Sequence, residues 1–503
     1  MKQIVLLAVL LLTFSCTKDL GNYEYQEINA VNFSGIEPLY TVLVGETLQI
    51  KPVLKFTRDE SGKEDDYTYE WIGFKIETTA NATTKFVIAN TRNLDQSIGL
   101  LPGDYNVHYA VKDKRTGVSY RSVFKLKVET SLNEGWLVLN DVNGQARLDM
   151  VSKIKDKYKN ITDVLKVAES GLSLRGKPLD VYCYAYNFSE YGVYVSTDQS
   201  TDRVDQNTFK WKNTLNLKYE FVASVPDDFH ADFFSAIKEP SAYGTSYLFA
   251  RNKVYFYQST QSIRYGLPIN LVKGEINTFK AAPFVTVAQD PSTLNAVAIM
   301  FDVDKKRFLR HGNNENTSST MANPTNLLFN YNNVGMDLLY MEQVTFNGGE
   351  VFALLKNSAG KVFLARFNPT NGIQSYFEEI AVSEISNAEH FAVHPGFGYL
   401  FYTIDSKVYE YDTSLKTTKL MLDKGTEKIS LMKFQKFAQK GSLRPYNDSR
   451  KDQLLLCTYN PAQAADQNGT MELYNVPNLN AALTLGESYT GFGKIVSVSY
   501  RER

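Results

Sequence analysis

Between about residues 28 and 130, the chain alternates apolar and polar residues in short runs. The clearest runs cover residues 46–54, 67–72, 104–111 and 122–128. Alternation of this kind is typical of strands that bury one face, and turn material such as Pro102-Gly103 separates the runs. Trp71 stands in a middle run and Tyr105 opens a late one. The segment therefore predicts an immunoglobulin-like β-sandwich with a tyrosine corner.

From Gly135 onward a different unit recurs, made of an apolar strand, a short turn containing Asn, Asp or Gly, and a second strand. Its copies begin near Trp136, Tyr182, Tyr247, Ala298, Phe352, Tyr399 and Leu454. The mean interval is about 53 residues, near the period of propeller blades. Because one blade cannot bury both faces alone, we expect residues 131–503 to form a β-propeller of seven blades. Two stacked sandwiches are the alternative, since the intervals vary.

Two further segments complete this all-β prediction. The last apolar run, Lys494–Tyr500, has no hairpin partner of its own. It is predicted to pair with the first blade near Trp136–Asn140, which would close the ring and remove a sheet edge. Residues 153–170 carry apolar side chains at helical spacing, so a short amphipathic helix is expected there.

The first 16 residues have the plan of an export signal. Lys2 precedes an apolar run from Ile4 to Leu12, and a few residues later comes Cys16. The run is shorter than the roughly 18 residues of a membrane span. The segment before Cys16 resembles the lipobox of bacterial lipoproteins, which implies that residues 1–15 are removed, that Cys16 carries the lipid, and that residues 16–27 form a tether. An ordinary cleaved signal with an incidental cysteine is the alternative.

Composition supports the β prediction and removes one class of partner. The 503 residues include 54 Lys and Arg against 55 Asp and Glu, for a net charge of -1. This balance gives no electrostatic basis for binding nucleic acid. The chain holds 32 Tyr and 30 Phe, and aromatic residues favour strands.

The N-terminal region resembles the PKD-like lipoproteins of Bacteroidetes. The resemblance lies in Cys16, in the run from Asp19 to Tyr25, and in the runs that begin at Gly103 and Val111. It implies a PKD-like sandwich over residues 28–130 in a lipoprotein of the outer membrane, on the extracellular face. It also implies two partners, a SusC-like TonB-dependent transporter and a SusD-like lipoprotein. The periplasmic face is the alternative location.

The sequence predicts neither a metal nor a cofactor. His390 and His394 have the spacing of a zinc-binding helix, but the segment lacks the expected Glu and runs into Pro-Gly. The Asp302-Val-Asp304 run is interpreted as a hairpin turn, because a calcium loop needs more oxygen ligands and a glycine. Cys183 and Cys457 lie in strand-like runs, so we expect buried free thiols.

Catalytic motifs are also missing from the sequence. It has no Gly-x-Ser-x-Gly elbow and no Gly-rich phosphate loop. Asp227-Asp228 and Glu378-Glu379 are pairs of acids that a glycosidase could use. Adjacent acids are far more often exposed loop residues, so no catalytic residue is assigned.

The aromatic surplus supplies the candidate binding residues, because aromatic side chains outside clear strands can contact a ligand or a partner protein. The candidates are Trp211, Phe229, Phe233, Phe234, Tyr376 and Phe377.

The missing catalytic motifs predict a non-catalytic protein, and the resemblance to PKD-like lipoproteins implies an accessory binding subunit of a nutrient uptake system, with a glycan or a peptide as cargo. The sandwich shows no ligand chemistry, so we expect it to be a spacer. A propeller glycoside hydrolase or polysaccharide lyase acting on extracellular glycans is the alternative, because propellers support binding and catalysis equally well. A pure scaffold is the third possibility.

Overall fold

The computed structural model describes residues 28–502 apart from 77–84, 133, 155–156, 186–190, 238–244, 259–263, 291–294, 313–314, 383 and 438–444. The predicted signal peptide, Cys16 and the predicted tether lie outside the described residues. The chain divides into two compact units, residues 1–130 and 131–503. The described part of both units is almost entirely β structure.

The first unit contains nine strands in its described residues. They are β1 (Val31–Ser34), β2 (Leu39–Leu43), β3 (Thr47–Ile50), β4 (Val53–Phe56), β5 (Tyr67–Lys75), β6 (Lys85–Ala89), β7 (Leu94–Ser97), β8 (Gly103–Asp113) and β9 (Ser119–Glu129). One five-stranded sheet has the order β2-β9-β8-β5-β6, and β1-β4 and β3-β7 form two small sheets. Strand β2 runs parallel to β9, whereas the other pairs are antiparallel.

Aromatic side chains fill the core of the first unit. Trp71 and Tyr109 are fully buried, and their ring centroids lie 4.0 Å apart on the neighbouring strands β5 and β8. The indole N–H of Trp71 donates to the Thr91 carbonyl at 2.8 Å. The Tyr105 hydroxyl donates to the Leu101 carbonyl at 2.7 Å, which is the hydrogen bond expected of a tyrosine corner.

The second unit contains 26 strands and two short helices in its described residues. The strands are β10 (Glu134–Val142), β11 (Gln145–Ile154), β12 (Lys157–Ile161), β13 (Pro178–Ala185), β14 (Tyr191–Thr197), β15 (Thr201–Val204), β16 (Phe233–Ala236), β17 (Thr245–Ala250), β18 (Lys253–Gln258), β19 (Thr286–Gln289), β20 (Ala296–Asp302), β21 (Arg307–Gly312), β22 (Ser319–Thr320), β23 (Asp337–Val344), β24 (Glu350–Lys356), β25 (Val362–Phe367), β26 (Gln374–Glu379), β27 (Phe391–Val393), β28 (Leu400–Ile404), β29 (Lys407–Asp412), β30 (Thr417–Asp423), β31 (Lys428–Phe434), β32 (Gln453–Tyr459), β33 (Gly469–Asn475), β34 (Thr484–Phe492) and β35 (Lys494–Arg501). The helices are α1 (Val164–Val167) and α2 (Pro445–Arg450).

These strands form seven antiparallel sheets within the described ranges. Their orders are β35-β10-β11-β12, β13-β14-β15, β16-β17-β18, β19-β20-β21-β22, β23-β24-β25-β26, β27-β28-β29-β30 and β31-β32-β33-β34. Each hairpin that the repeat predicts is an antiparallel pair inside one of these sheets.

The C-terminal strand completes the first sheet of the second unit. Tyr500 lies opposite Trp136, and Ile495 lies opposite Asn140. The predicted pairing of this segment with the first hairpin is therefore confirmed. The Tyr500 hydroxyl also donates to Glu134 Oε1 at 2.8 Å, so a side-chain hydrogen bond reinforces the backbone ladder.

The seven sheets pack on one another in a closed cycle. Buried apolar clusters join each sheet to the next, and the cluster that contains Trp136 and Leu455 joins the last sheet to the first. The first strand in each of the sheet orders given above is named the head strand of that sheet. Each head strand contacts the next in the same cycle, in the order β35, β13, β16, β19, β23, β27, β31 and again β35. Every sheet thus buries both of its faces.

The predicted helix over residues 153–170 is wrong. Strand β11 continues to Ile154, β12 occupies Lys157–Ile161, and only Val164–Val167 is helical. The sheet supplies β12 with a ladder partner along β11, and these hydrogen bonds override a local helical pattern. Lys157 and Lys159 are exposed on this outer strand, where charge protects a sheet edge.

Candidate functional site

A cavity of about 290 Å³, named the central cavity, opens in the second unit where five of the head strands end. Its lining comes from residues at or just beyond the ends of β16, β19, β23, β27 and β31, together with the residues before β32. The lining includes Ile237, Val287, Gln289, Glu342, Gln343, Val344, Val393, Phe434, Gln435, Lys436, Phe437, Lys451 and Asp452. Five different sheets therefore contribute to one concave site, which is the usual form of a ligand pocket.

Glu342 is the acidic group of this cavity. Its Oε2 accepts from the Tyr340 hydroxyl at 2.5 Å and from the Val393 backbone N–H at 3.3 Å. Its Oε1 lies 3.7 Å from Nζ of Lys436, and its side chain is 18% exposed. These hydrogen bonds hold Glu342 Oε2 in place, whereas Oε1 faces the ammonium group of Lys436. Burial raises the pKa of Tyr340, which keeps that hydroxyl a donor.

Two lysines stand at the mouth of the cavity. Lys436 Nζ donates to the Gln343 carbonyl at 2.6 Å, although about half of the side chain is exposed. Lys451 Nζ lies 3.0 Å from Asp452 Oδ2, and both side chains are substantially exposed. The mouth thus offers cationic groups that water or a ligand can reach.

A third lysine, Lys433, directly precedes Phe434, the last residue of β31. Its Nζ donates to the Val498 carbonyl of β35 at 2.8 Å. Burial lowers the pKa of Lys433, and the carboxylates of Asp180 and Glu342 oppose that shift. Asp180 Oδ1 in turn accepts from the Ser497 hydroxyl at 2.7 Å. The head strands therefore enclose charged groups of both signs.

His394 borders the cavity between Val393 and Pro395. Its Nδ1 accepts from the backbone N–H groups of Gly396 and Phe397, at 3.1 and 2.9 Å. Burial lowers the pKa of His394 to about 4, so the ring is neutral at pH 7 and carries its proton on Nε2. Its role is to hold the turn after β27.

The six aromatic candidates from the sequence do not come together at one site. Phe229 and Phe234 are each 4% exposed and belong to one core cluster. Phe233, Tyr376 and Phe377 are partly buried against three other clusters. Within the described lining of the central cavity, none of the six appears.

Trp211, the sixth candidate, lines a separate open hollow of about 470 Å³ with Lys210 and Lys212. Its indole N–H donates to Asp202 Oδ1 at 3.1 Å, and its ring packs on a core cluster. The ring is thus held in place, with only part of it open to the hollow.

The acid pairs from the sequence form surface ion pairs. Asp227 binds Lys218 at 2.7 Å and Asp228 binds Arg251 at 2.9 Å, and both carboxylates are mostly exposed. Glu378 and Glu379 likewise pair with lysines that directly precede strands β30 and β25, Lys416 and Lys361. Each carboxylate of these pairs therefore has a cationic partner outside the cavity.

The remaining sequence predictions concern the aspartate turn, the two thiols and metal binding. Asp302 Oδ1 accepts from the N–H groups of Asp304 and Lys305, which confirms the predicted hairpin turn. Cys183 and Cys457 are free and buried, as predicted. Among the described residues, no group of three or more His, Cys, Asp or Glu side chains is placed to hold a metal ion.

Sequence reasoning missed the residues that line the cavity. A signal was available, because Glu342 and Lys433 interrupt apolar runs in strands that end in turns. A polar residue inside an apolar run indicates an inward-facing polar side chain. It does not indicate which strands of other sheets lie opposite that side chain. Only the closed cycle of sheets brings Lys436 and Gln343, 93 residues apart, into hydrogen-bond contact.

Comparison with known proteins identifies the N-terminal region. Residues 16–178 match the model of the PKD-like family, about a third of the chain. The N-terminal domain is therefore PKD-like. No curated protein matches the chain.

Solved structures with a similar fold include two from Bacteroides. One is a quinonprotein alcohol dehydrogenase-like protein of Bacteroides thetaiotaomicron, with 12% identity, coverage of 92% of this chain and 96% of that chain, and a TM-score of 0.44. The other is a candidate 6-phosphogluconolactonase of Bacteroides fragilis, with 10% identity, coverage of 74% and 99%, and a TM-score of 0.42. Likenesses this distant carry no functional inference. Within the described residues, no helix has the length and apolar character needed to cross a bilayer.

Proposed function

We propose that the second unit is a seven-bladed β-propeller and that residues 28–130 form an immunoglobulin-like sandwich. The propeller is supported by seven antiparallel sheets whose head strands contact one another in a cycle. It is also supported by buried clusters that join each sheet to the next, since packing of this kind buries both faces of a blade. The sandwich is supported by the core of Trp71, Tyr105 and Tyr109 shared among the sheets of the first unit.

We infer that the protein is a non-catalytic binding protein whose ligand occupies the central cavity of the propeller. One observation carries this inference: the ends of five strands from five sheets converge on a cavity with apolar walls and a few fixed polar groups. Such a combination of apolar lining and convergent polar groups is the general form of a binding pocket. Glu342 and Lys436 supply charges of opposite sign at 3.7 Å.

We further propose that a lipid on Cys16 anchors the protein in the outer membrane, facing the extracellular medium. There it serves as an accessory subunit of a SusC/SusD-type TonB-dependent uptake system for glycans or peptides. The match of residues 16–178 to the PKD-like family supports this assignment, as does the signal-like segment before Cys16. The first unit is a spacer between the lipid and the propeller.

Turnover assays separate this function from that of a hydrolase or lyase. The purified mature chain is incubated with polysaccharides and with peptides, and new reducing ends, unsaturated sugar ends and new amino groups are measured. The expected result is saturable binding of a ligand with no product above that of a heat-inactivated sample. Product formation that scales with protein concentration would replace the binding assignment with an enzymatic one.

A further inference from the structure

The walls of the central cavity are suited to an aliphatic group. Ala236 and Val287 line it with partly exposed methyl groups. The two aromatic residues of the lining, Phe434 and Phe437, are only 5% and 1% exposed, so their ring faces are already covered. Sugar rings are bound largely by stacking on exposed aromatic faces, and the described lining offers no such face.

One polar group of the lining lacks a partner. Gln435 is 4% exposed, and its Nε2 donates to the Lys436 carbonyl at 3.0 Å. Its Oε1 is buried and accepts no hydrogen bond from any residue that the structure describes. A buried acceptor left unpaired raises the free energy of the empty site. A ligand that donates an N–H group to this oxygen would recover that free energy.

Charged side chains lie in the same lining as the aliphatic walls and the unpaired Gln435 oxygen. Glu342 Oε1 and Lys436 Nζ are 3.7 Å apart, beyond the ordinary length of a hydrogen bond. Each can therefore turn to a ligand group of opposite charge without breaking a short ion pair. Lys451 adds a second exposed cation to the same lining. The site thus complements a molecule that carries an ammonium, an acceptor group and an aliphatic chain.

We propose that the cavity binds short peptides with an aliphatic N-terminal residue. The ammonium binds Glu342 Oε1 and Gln435 Oε1, the aliphatic side chain packs against Ala236 and Val287, and a following carbonyl or carboxylate faces Lys436. The volume of about 290 Å³ lies at the lower limit for ligand pockets, which suits one or two residues. This inference rests on the binding function proposed above and names its ligand class.

Isothermal titration calorimetry of the mature full chain in detergent tests the proposal. The probes are Leu-Gly-Gly, N-acetyl-Leu-Gly-Gly, Gly-Gly-Gly and maltotriose. We expect one site for Leu-Gly-Gly, with at least tenfold weaker binding after acetylation and at least tenfold weaker binding of Gly-Gly-Gly. These comparisons use the unaltered protein, so they do not depend on whether a variant folds.

Two variants locate the site. Glu342→Gln is expected to weaken Leu-Gly-Gly binding at least tenfold, whereas Lys361→Met, which removes a surface pair with Glu379, leaves it unchanged. Thermal unfolding of both variants confirms that they are folded. Equal binding of the acetylated peptide, tighter binding of maltotriose, or no heat from any peptide would overturn the peptide assignment. If maltotriose binds and Glu342→Gln abolishes its binding, the binding function survives and only the ligand class fails.

Discussion

At the scale of single residues, burial of an ionisable side chain, rather than a sequence motif, determines its pKa. Glu410 on β29 is 1% exposed, and neither of its carboxylate oxygens has a hydrogen-bond partner among the described residues. Burial, reinforced by the nearby charge of Asp412, raises the pKa of Glu410 from 4.5 to about 7. Lys419 opposes this shift only in part. The carboxyl group is therefore neutral in the folded protein below neutral pH.

This group makes the stability of the second unit depend on pH. Between pH 4.5 and 7 the unfolded chain has released the Glu410 proton while the folded chain still holds it, so stability falls as the pH rises through this window. Glu410→Gln, which has no proton to lose, is expected to be more stable than the wild type at pH 8 by roughly 1–3 kcal/mol and to differ little at pH 4.5. Urea unfolding at the two pH values measures this, and an identical pH dependence in both proteins would refute it.

A second buried carboxylate has the opposite character, because cations surround it. Glu220 Oε1 lies 3.0 Å from Arg203 Nε and 2.7 Å from Arg264 Nη1. Its Oε2 accepts from the Tyr194 hydroxyl at 2.7 Å. Glu220→Gln would remove the carboxylate charge that faces two partly buried guanidinium groups, and should destabilise the second unit by about 3 kcal/mol.

The matched control for this prediction is Asp227→Asn, which removes an exposed partner of Lys218. Exposed ion pairs contribute little to stability, so no change in the denaturation midpoint is expected for the control. Equal midpoints for Glu220→Gln and the wild type would show that the buried pair contributes nothing to folding.

At the scale of elements, the closing strand β35 holds the cycle of sheets together. It pairs with β10 over most of its length, and its buried Val498 and Tyr500 belong to the cluster that joins the last sheet to the first. The Tyr500 ring lies 4.9 Å from that of Trp136 and 5.3 Å from that of Phe437. Loss of this strand would expose the edge of β10 together with this cluster.

Deletion of residues 494–503 should therefore lower the stability of the second unit by more than about 3 kcal/mol, from lost ladder bonds and apolar contacts. Thermal and urea unfolding of the truncated chain measure the effect. Leu485→Ala on the outer strand β34, where the side chain is 55% exposed, serves as the control with little change. A truncated chain that melts at the wild-type temperature would contradict the closure of the cycle.

The elements also show what sequence patterns can and cannot predict. Alternation located the hairpins of the second unit, because each strand buries its faces against neighbouring sheets and turns separate the strands. It failed at residues 153–170, where strand pairing with β11 outweighs a helical spacing. It also identified Trp71 and Tyr105 as core residues of the first unit, since aromatic residues inside alternating runs point to the core.

At the scale of the whole molecule, the cavity forms because the seven sheets close into a cycle. Glu342 and Lys436 come from sheets that are far apart along the chain, and only the cycle of sheets sets them 3.7 Å apart. Single-sequence reasoning sees each strand with its hairpin partner and not the strands that face it across the cavity. For this reason none of the aromatic candidates chosen from the sequence lines the cavity, whose lining is mostly aliphatic, amide and charged, with Phe434 and Phe437 as its two aromatic residues.

We propose that this cavity belongs to a lipid-anchored subunit of a nutrient importer. Co-purification of the full chain from outer membranes of its source cells, after solubilisation in mild detergent, tests that claim most directly. We expect a SusC-like transporter and a SusD-like lipoprotein to be recovered in stoichiometric amounts with the wild type and with Glu342→Gln, because the proposed role of the cavity is to bind cargo and not the transporter. Recovery of the chain without either partner, from membranes in which both are present, would contradict the account.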